Sequence, residues 1–384
     1  MVSIEEAFEH IAKQRPVRVK QHVHPSEPVG LHLADVVVSP MDIPVFDNSA
    51  MDGYALCGES DTYRIIGEVA AGSQSELTLA PGQATRIFTG ARVPKGTTAV
   101  IMQEKTSVEG GTLSLTEIPA AGANVRTRGE EIRQGQEVFQ AGHYINAATV
   151  GMLLSLGITS VSVFARPRVG ILITGNELVT AGEQLGEGQI YESNGGSLQA
   201  ALQQLPVEVT GVARVTDDLE STSSAIRDLL GEVDILLISG GISVGDYDFV
   251  KEALARNEVE EVFYKVNQKP GKPLFFGKRK HQFVYALPGN PASSLTCFYL
   301  YVTPLIHQFL GGAAKVSERV RLGHDFEVRG VRPTFYRAKV EEGVAIILDK
   351  QSSSMLHSFA LGNGLVFLSP GTHNKGVEIP VWYY

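Results

Sequence analysis

The chain has 384 residues, more than one hydrophobic core usually organises, and at about 100 to 200 residues per domain it should hold roughly two to four domains. Its 43% hydrophobic and 20% charged residues exclude a disordered or fibrous protein. A net charge of -9 gives no general attraction to phosphate backbones or anionic membranes, so neither nucleic-acid nor membrane partners are expected.

In MVSIEEAFEHIAKQ, Ile4, Ala7, Phe8 and Ile11 fall at helical spacing and predict an acidic amphipathic helix rather than a signal or transit peptide, so a cytoplasmic protein is expected. From Pro28 to Pro44 apolar and turn residues alternate, and FDNSAMDGYAL then supplies a turn before a short apolar run. The runs TYRIIGEV, ATRIFTG, TAVIMQE and TLSLTEI are short, β-branched and punctuated by glycine, as in a small barrel or sandwich reaching to about Glu131. Ala147 to Ala165 carries no charge, but Gly151, Ser155, Gly157 and Ser162 break it into a buried helix and a strand.

From Arg168 the period changes. VGILIT, EVTGVARV, DILLIS, EEVFYKV and FVYAL read as strands, most of them separated by helical pattern, which predicts a doubly wound α/β domain. Ligands of such sheets sit beyond the carboxyl ends of the strands, here Thr174-Gly175, Ser239-Gly240-Gly241 and Pro288-Gly289-Asn290. From about Ala314 to Tyr384 the pattern is again all-β. Cys57 and Cys297 form no spaced motif, which fits a reducing compartment.

The densest local chemistry lies in ISGGISVGDYDFV, where glycines let backbone amides approach an anion and Asp246 and Asp248 then require Mg²⁺ between carboxylate and phosphate. Without a ligand the same residues are a glycine-rich strand-to-helix turn. Lys265 to Lys280 holds five lysines and Arg279 with no acid, and Lys265, Lys269 and Lys272 suit a phosphorylated metabolite better than a duplex. In LPGNPASSL, Asn290 reads as a helix N-cap and Pro291 as the first helical residue. Glu177 ends the first strand of the domain, and Asp217 and Asp218 end the second, with Asp218 favoured as a cap. Asp52 and Thr89 lie in tight turns, where such residues usually serve only the turn. The histidines show no zinc-ligand spacing, and a GxSxG nucleophile motif is absent.

FDNSAMDGYAL, RIFTGARVPKGTTAVIMQE, NVRTRGEEIRQGQ, ITGNEL, SGGISVGDYDF, KPGKP and LPGNPASS follow one another across nearly the whole chain. Together they resemble the molybdopterin molybdenumtransferases, the family of MoeA and the gephyrin E domain. The resemblance implies an elongated N-terminal dimerisation domain from residues 1–40 and 132–165, and a β-rich domain inserted at 41–131. An α/β molybdopterin-binding domain similar to molybdopterin adenylyltransferases would span 166–313, and a C-terminal β-barrel 314–384. It also implies a homodimer whose cleft joins the α/β domain of one subunit to the inserted domain of the other.

Carried over position by position, Asp52 of MDGY, Thr89 of FTG, Glu177 of TGNEL, Asp217 of TDD and Asp248 of VGDYD would be catalytic. Glu131, Gly240, Gly241, Lys265, Lys269, Pro288 and Pro291 would bind substrate, while Glu177, Asp217 and Asp248 would hold Mg²⁺. The chain departs from the family at Glu131, where Asp is usual, and at Asn176, where many members have an acid. The implied reaction inserts molybdate into adenylylated molybdopterin and releases AMP, with the adenylyltransferase as a further candidate partner. Two alternatives are the preceding adenylylation by ATP, against which MDGY and FTG argue, and a scaffold role, against which the retained acids argue. The choice between molybdate and tungstate is not written in the sequence, because both are tetrahedral dianions of similar size.

Overall fold

A computed structural model describes residues 1–73, 77–242, 249–312 and 317–384. They form two compact units, one of residues 1–23, 27–34 and 162–384, the other of residues 24–26 and 35–161.

The smaller unit is built on a six-stranded sheet in the order Ala99–Met102, Gly53–Leu56, Gln83–Ile87, Thr62–Val69, Thr112–Leu115, Thr106–Glu109. Its side chains alternate between two cores: Ala55, Ile87 and Val100 enter one, Leu56, Ala84 and Ile101 the other. Both faces are therefore covered. The glycine of MDGY is required by this pairing, since a Cβ on Gly53 would lie 1.8 Å from the Ile101 carbonyl oxygen on the neighbouring strand. The uncharged stretch near 150 forms the helix Ala147–Ser155, started by Asn146, whose side chain accepts from the Thr149 N–H. Among the described residues no helix is long and apolar enough to cross a membrane.

The larger unit opens with the helix Ile4–Ala12, fixed by a capping box between Ser3 and Glu6. Its apolar face buries Ile4, Ala7 and Ile11, and Phe8 packs on the rings of Tyr301 and Trp382. The central sheet runs Glu208–Val215, Arg168–Thr174, Ile235–Ser239, Gln282–Leu287, Phe275–Arg279, Glu260–Tyr264. The first four strands are parallel and the last two antiparallel to their neighbours.

Leu172, Leu236, Ile238, Val284 and Ala286 form one core with Ile226 and Leu230 of the helix Leu219–Leu230 and with Val250, Ala253 and Leu254 of the helix Phe249–Arg256. Ile173 points the other way, into the helix Asn194–Gln203, where a Cβ on Gly195 would meet its Cδ1 at 2.2 Å. Helices on both faces explain why the central strands are continuously apolar rather than alternating.

The strand Phe275–Arg279 falls inside the lysine-rich stretch Lys265 to Lys280 and is not among the runs read as strands from the sequence. Its Lys278 and Arg279 pair with acids within or flanking the neighbouring edge strand, Glu260 at 4.0 Å and Glu258 at 3.8 Å. The C-terminal segment closes into a barrel of Glu318–Leu322, Val344–Ile347, Thr334–Glu341, Gly364–Leu368 and Glu378–Tyr383 around Val320, Ala338, Val340, Val366 and Val381.

Candidate functional site

Three parallel strands of the larger unit end side by side at Thr174, Ser239 and Leu287. Directly after them the backbone comes unusually close to itself. Gly240 has φ +97° and Gly241 φ +66°, and a Cβ on them would lie 2.3 Å from the Thr174 carbonyl oxygen and 2.4 Å from Val250 Cγ2, so neither position admits a side chain. Asn194, at the start of its helix, clasps the same edge: its Nδ2 donates to Ser239 Oγ and to the Gly289 carbonyl, each at 2.8 Å. Thr174 Oγ1 and Asn194 Oδ1 are buried with no hydrogen-bond partner among the described residues. Buried oxygens left this way normally meet a ligand or ordered water.

A crevice of about 510 Å³ opens here, lined by Thr174, Glu177, Glu192, Asn194, Gly240 and Asn290 among others. Its described lining has two acids and no cationic side chain. Glu192 spends one oxygen on the Gly195 N–H at 2.7 Å, while Glu177 is exposed.

Across the Pro288–Pro291 loop lies a second crevice, of about 620 Å³, which shares Asn290 with the first. Lys269, Lys272 and Arg332 line it together with Ser352 and Ser353, and its described lining holds no acid. The lysine turn is rigidly built. Gln268 is fully buried, its amide donates to the carbonyls of Pro270 at 3.0 Å and Gly271 at 3.4 Å, and its oxygen accepts from the Tyr301 hydroxyl. Lys269 is strapped to the barrel, donating to the Pro333 carbonyl at 3.0 Å and accepting from the Phe335 N–H at 2.8 Å. Pro291 starts its helix as expected. Asn290 occupies the N-cap position without capping through its side chain, and instead donates to Ser353 Oγ at 3.2 Å.

Of the lysines expected at the site, Lys265 stands apart. It has φ +67°, its ammonium sits 4.7 Å from the centroid of the Tyr264 ring, and it lines neither crevice. Asp217 is half-buried and clasped to the neighbouring strand end. Its N–H donates to Asn176 Oδ1 at 3.1 Å, and its Oδ2 accepts from the Asn176 N–H at 3.4 Å. An acid at position 176 would put two carboxylates into this clasp, which asparagine avoids. Asp218 caps the helix Leu219–Leu230, and the Ser221 N–H and Thr216 hydroxyl lower its carboxyl to about 2. Asp248 and Asp246 lie outside the described residues. Among the described residues no group of three or more His, Cys, Asp or Glu side chains is placed to hold a metal ion.

In the smaller unit, MDGY meets FTGAR. Asp52 Oδ1 accepts from both the N–H and the hydroxyl of Thr89, each at 2.7 Å, and these bonds, the backbone one first, lower its pKa. Beside them Arg86 lies 5.2 Å and 5.0 Å from the rings of Tyr54 and Phe88 and donates to the Gly53 carbonyl at 3.3 Å. Glu131 is exposed, with its backbone N–H on the Ile43 carbonyl at 3.0 Å.

Residues that the sequence reading did not single out are Asn194, Arg332, Ser352 and Ser353 in the larger unit and Arg86 in the smaller. Asn194, Arg332 and the Ser352-Ser353 pair lie outside the motifs quoted from the sequence, and Arg86 lies inside one without a charge pattern to mark it.

A mostly parallel sheet with helices on both faces, followed by a β-barrel, places the chain among multidomain α/β proteins. Comparison with known proteins narrows this. Residues 2–157 match the MoeA N-terminal region (domain I and II), 170–308 a probable molybdopterin binding domain and 319–384 the MoeA C-terminal region (domain IV). A molybdopterin molybdenumtransferase of Staphylococcus epidermidis is 32% identical over 97% of this chain and 92% of its own length. One from Haemophilus influenzae is 36% identical over 81% and 78%, respectively. A molybdopterin biosynthesis MoeA protein of Pyrococcus horikoshii superposes with a TM-score of 0.86 at 28% identity, covering 100% of both chains. The chain belongs to the molybdopterin molybdenumtransferase family, MoeA.

Proposed function

We propose that the chain inserts molybdate into adenylylated molybdopterin, with Mg²⁺-dependent release of AMP. Membership of the family makes it a transferase of molybdenum cofactor biosynthesis. The finer reading is carried by one observation, the pair of oppositely charged crevices on either side of Asn290. Such a pair suits a ligand with an anionic end and a metal-carrying end.

In this reading Lys269, Lys272 and Arg332 bind the phosphate and oxyanion oxygens, and Ser352 and Ser353 orient them by hydrogen bonds. The Gly240-Gly241 turn, Thr174 Oγ1 and Asn194 Oδ1 receive the rest of the ligand in the acidic crevice. The donors there, Glu177, Glu192 and the two unpartnered oxygens, are all hard oxygens, which fit Mg²⁺ and not a soft metal. Glu177, with Asp217 and Asp248, would hold the ion, which supplies neutralisation of charge on the phosphoanhydride. Asp52 and Thr89 would serve the site of a partner subunit in a homodimer. A cytoplasmic setting is supported by two buried, unpaired cysteines, Cys57 and Cys297.

The test incubates the pure protein with adenylylated molybdopterin, Mg²⁺ and molybdate and follows AMP release together with molybdenum retained on the pterin. AMP release that requires the anion is expected. Consumption of ATP with non-adenylylated molybdopterin would instead make the chain an adenylyltransferase, and no turnover with retained partner binding would make it a scaffold.

A further inference from the structure

Arg337 is completely buried, at 0% exposure, yet no carboxylate pairs with it among the described residues. Strand alternation puts it there. In Thr334–Glu341 the side chains of Ala338 and Val340 enter the barrel core, while Phe335 and Arg337 leave on the opposite face. A charged group deprived of water needs hydrogen bonds in good geometry to remain ionised. Arg337 finds them in part within one short segment, through Nε and Nη2, while its buried Nη1 has no partner among the described residues. Its Nε donates to Ser358 Oγ at 3.0 Å, and its Nη2 donates to the carbonyls of Lys350 at 3.2 Å and Ser352 at 3.1 Å. The Ser358 hydroxyl closes the clamp by donating to the Lys350 carbonyl at 3.1 Å.

The segment so held supplies Gln351, Ser352 and Ser353 to the basic crevice. Its other wall, Lys269, is anchored by the backbone of Phe335, two positions away on the same strand. One strand therefore fixes both walls, the first through its backbone and the second through the buried guanidinium together with the Arg337 backbone, whose N–H donates to Gln351 Oε1 at 3.0 Å and whose carbonyl accepts from Gln351 Nε2 at 2.8 Å.

We propose that Arg337 is a positioning residue that sets the width of the anion crevice by holding the Lys350–Ser352 turn against the strand that anchors Lys269. The inference rests on the reading of the basic crevice as an anion site. It also draws on the fork of the guanidinium and not merely its charge, because the guanidinium donates from two nitrogens held in one plane, Nε and Nη2, whereas a lysine must donate from a single nitrogen on a flexible stem.

The test compares the parent, Arg337→Lys, Ser358→Ala and Lys269→Ala in the full chain, with molybdate as the varied substrate at saturating adenylylated molybdopterin. Arg337→Lys should raise the KM for molybdate about tenfold with kcat within about twofold of the parent. Ser358→Ala removes one acceptor, no charge and no crevice residue. It should raise KM about threefold, and it stands in if the lysine variant does not fold. A parent-like KM in the folded Arg337 and Ser358 variants, alongside a raised KM in Lys269→Ala, would overturn the role of Arg337. A parent-like KM in Lys269→Ala as well would overturn the anion reading of the crevice itself.

Discussion

The two crevices share Asn290 and lie against the same loop, but they are made differently. The basic one is assembled from distant parts of the chain, a lysine turn at residues 268–273 and barrel segments around Arg332 and Ser352, tied by backbone hydrogen bonds. The acidic one is assembled by close approach, with two glycines bringing backbone against Thr174 and leaving buried oxygens unpartnered. A chain of net charge -9 can thus present a locally cationic pocket, because the barrel contributes its cation where the sheet contributes none of its acids.

If the acidic crevice works through a metal, removing divalent cations with excess chelator should cut turnover by about 100-fold or more. Unchanged activity would show that its acids serve only structure. The assignment of Asp52 to a partner's site can be broken by mixing Asp52→Asn with Asp248→Asn subunits, each inactive alone. Heterodimers should recover up to about half of the parental activity, since one of two sites escapes both lesions. No recovery after verified exchange would place both lesions in sites built within one chain.

The contrast in charge is sharpened by a reciprocal pair. Lys269→Ala should weaken adenylylated molybdopterin binding about 10- to 100-fold while leaving the Mg²⁺ requirement unchanged, and Glu177→Gln should do the reverse. Calorimetry of each variant, with and without the ion, reads both effects, and identical losses in the two would merge the crevices into one functional unit.

The smallest effect concerns Asp218, an acid at the same strand-end rim that serves its helix. Its carboxyl is lowered from 3.8 to about 2, so its ionised cap contributes stability above pH 3.8 that is lost as the pH falls toward 2. Asp218→Asn keeps a capping oxygen without the titration and should show a smaller drop in melting temperature than the parent between about pH 5 and about pH 2.5.

The central parallel strands are readable because burial on both faces leaves an unbroken apolar run, as in Ile235–Ser239. Phe275–Arg279 is not, because Lys278 and Arg279 continue a run of lysines, and only pairing with Glu260 and Glu258 separates them from it. Lys265 and Lys269 are four residues apart in the sequence, but the Lys265 ammonium lies over the Tyr264 ring while Lys269 lines the basic crevice. Asp52 and Thr89 each read as turn formers, and the reading was incomplete because their hydrogen bonds join positions 37 residues apart. Arg332 and Ser353 carry no local signal at all. They reach the lysine turn only because the barrel folds back onto the sheet.

On the proposed reading, the partition at Asn290 would also act as a length gauge. A ligand that straddles it would hold on at two points, so each contact would raise the effective concentration of the other. Cutting that ligand at its phosphoanhydride leaves fragments too short to straddle. Each would then keep one foothold, and the proposed bond cleavage would also loosen what has to leave.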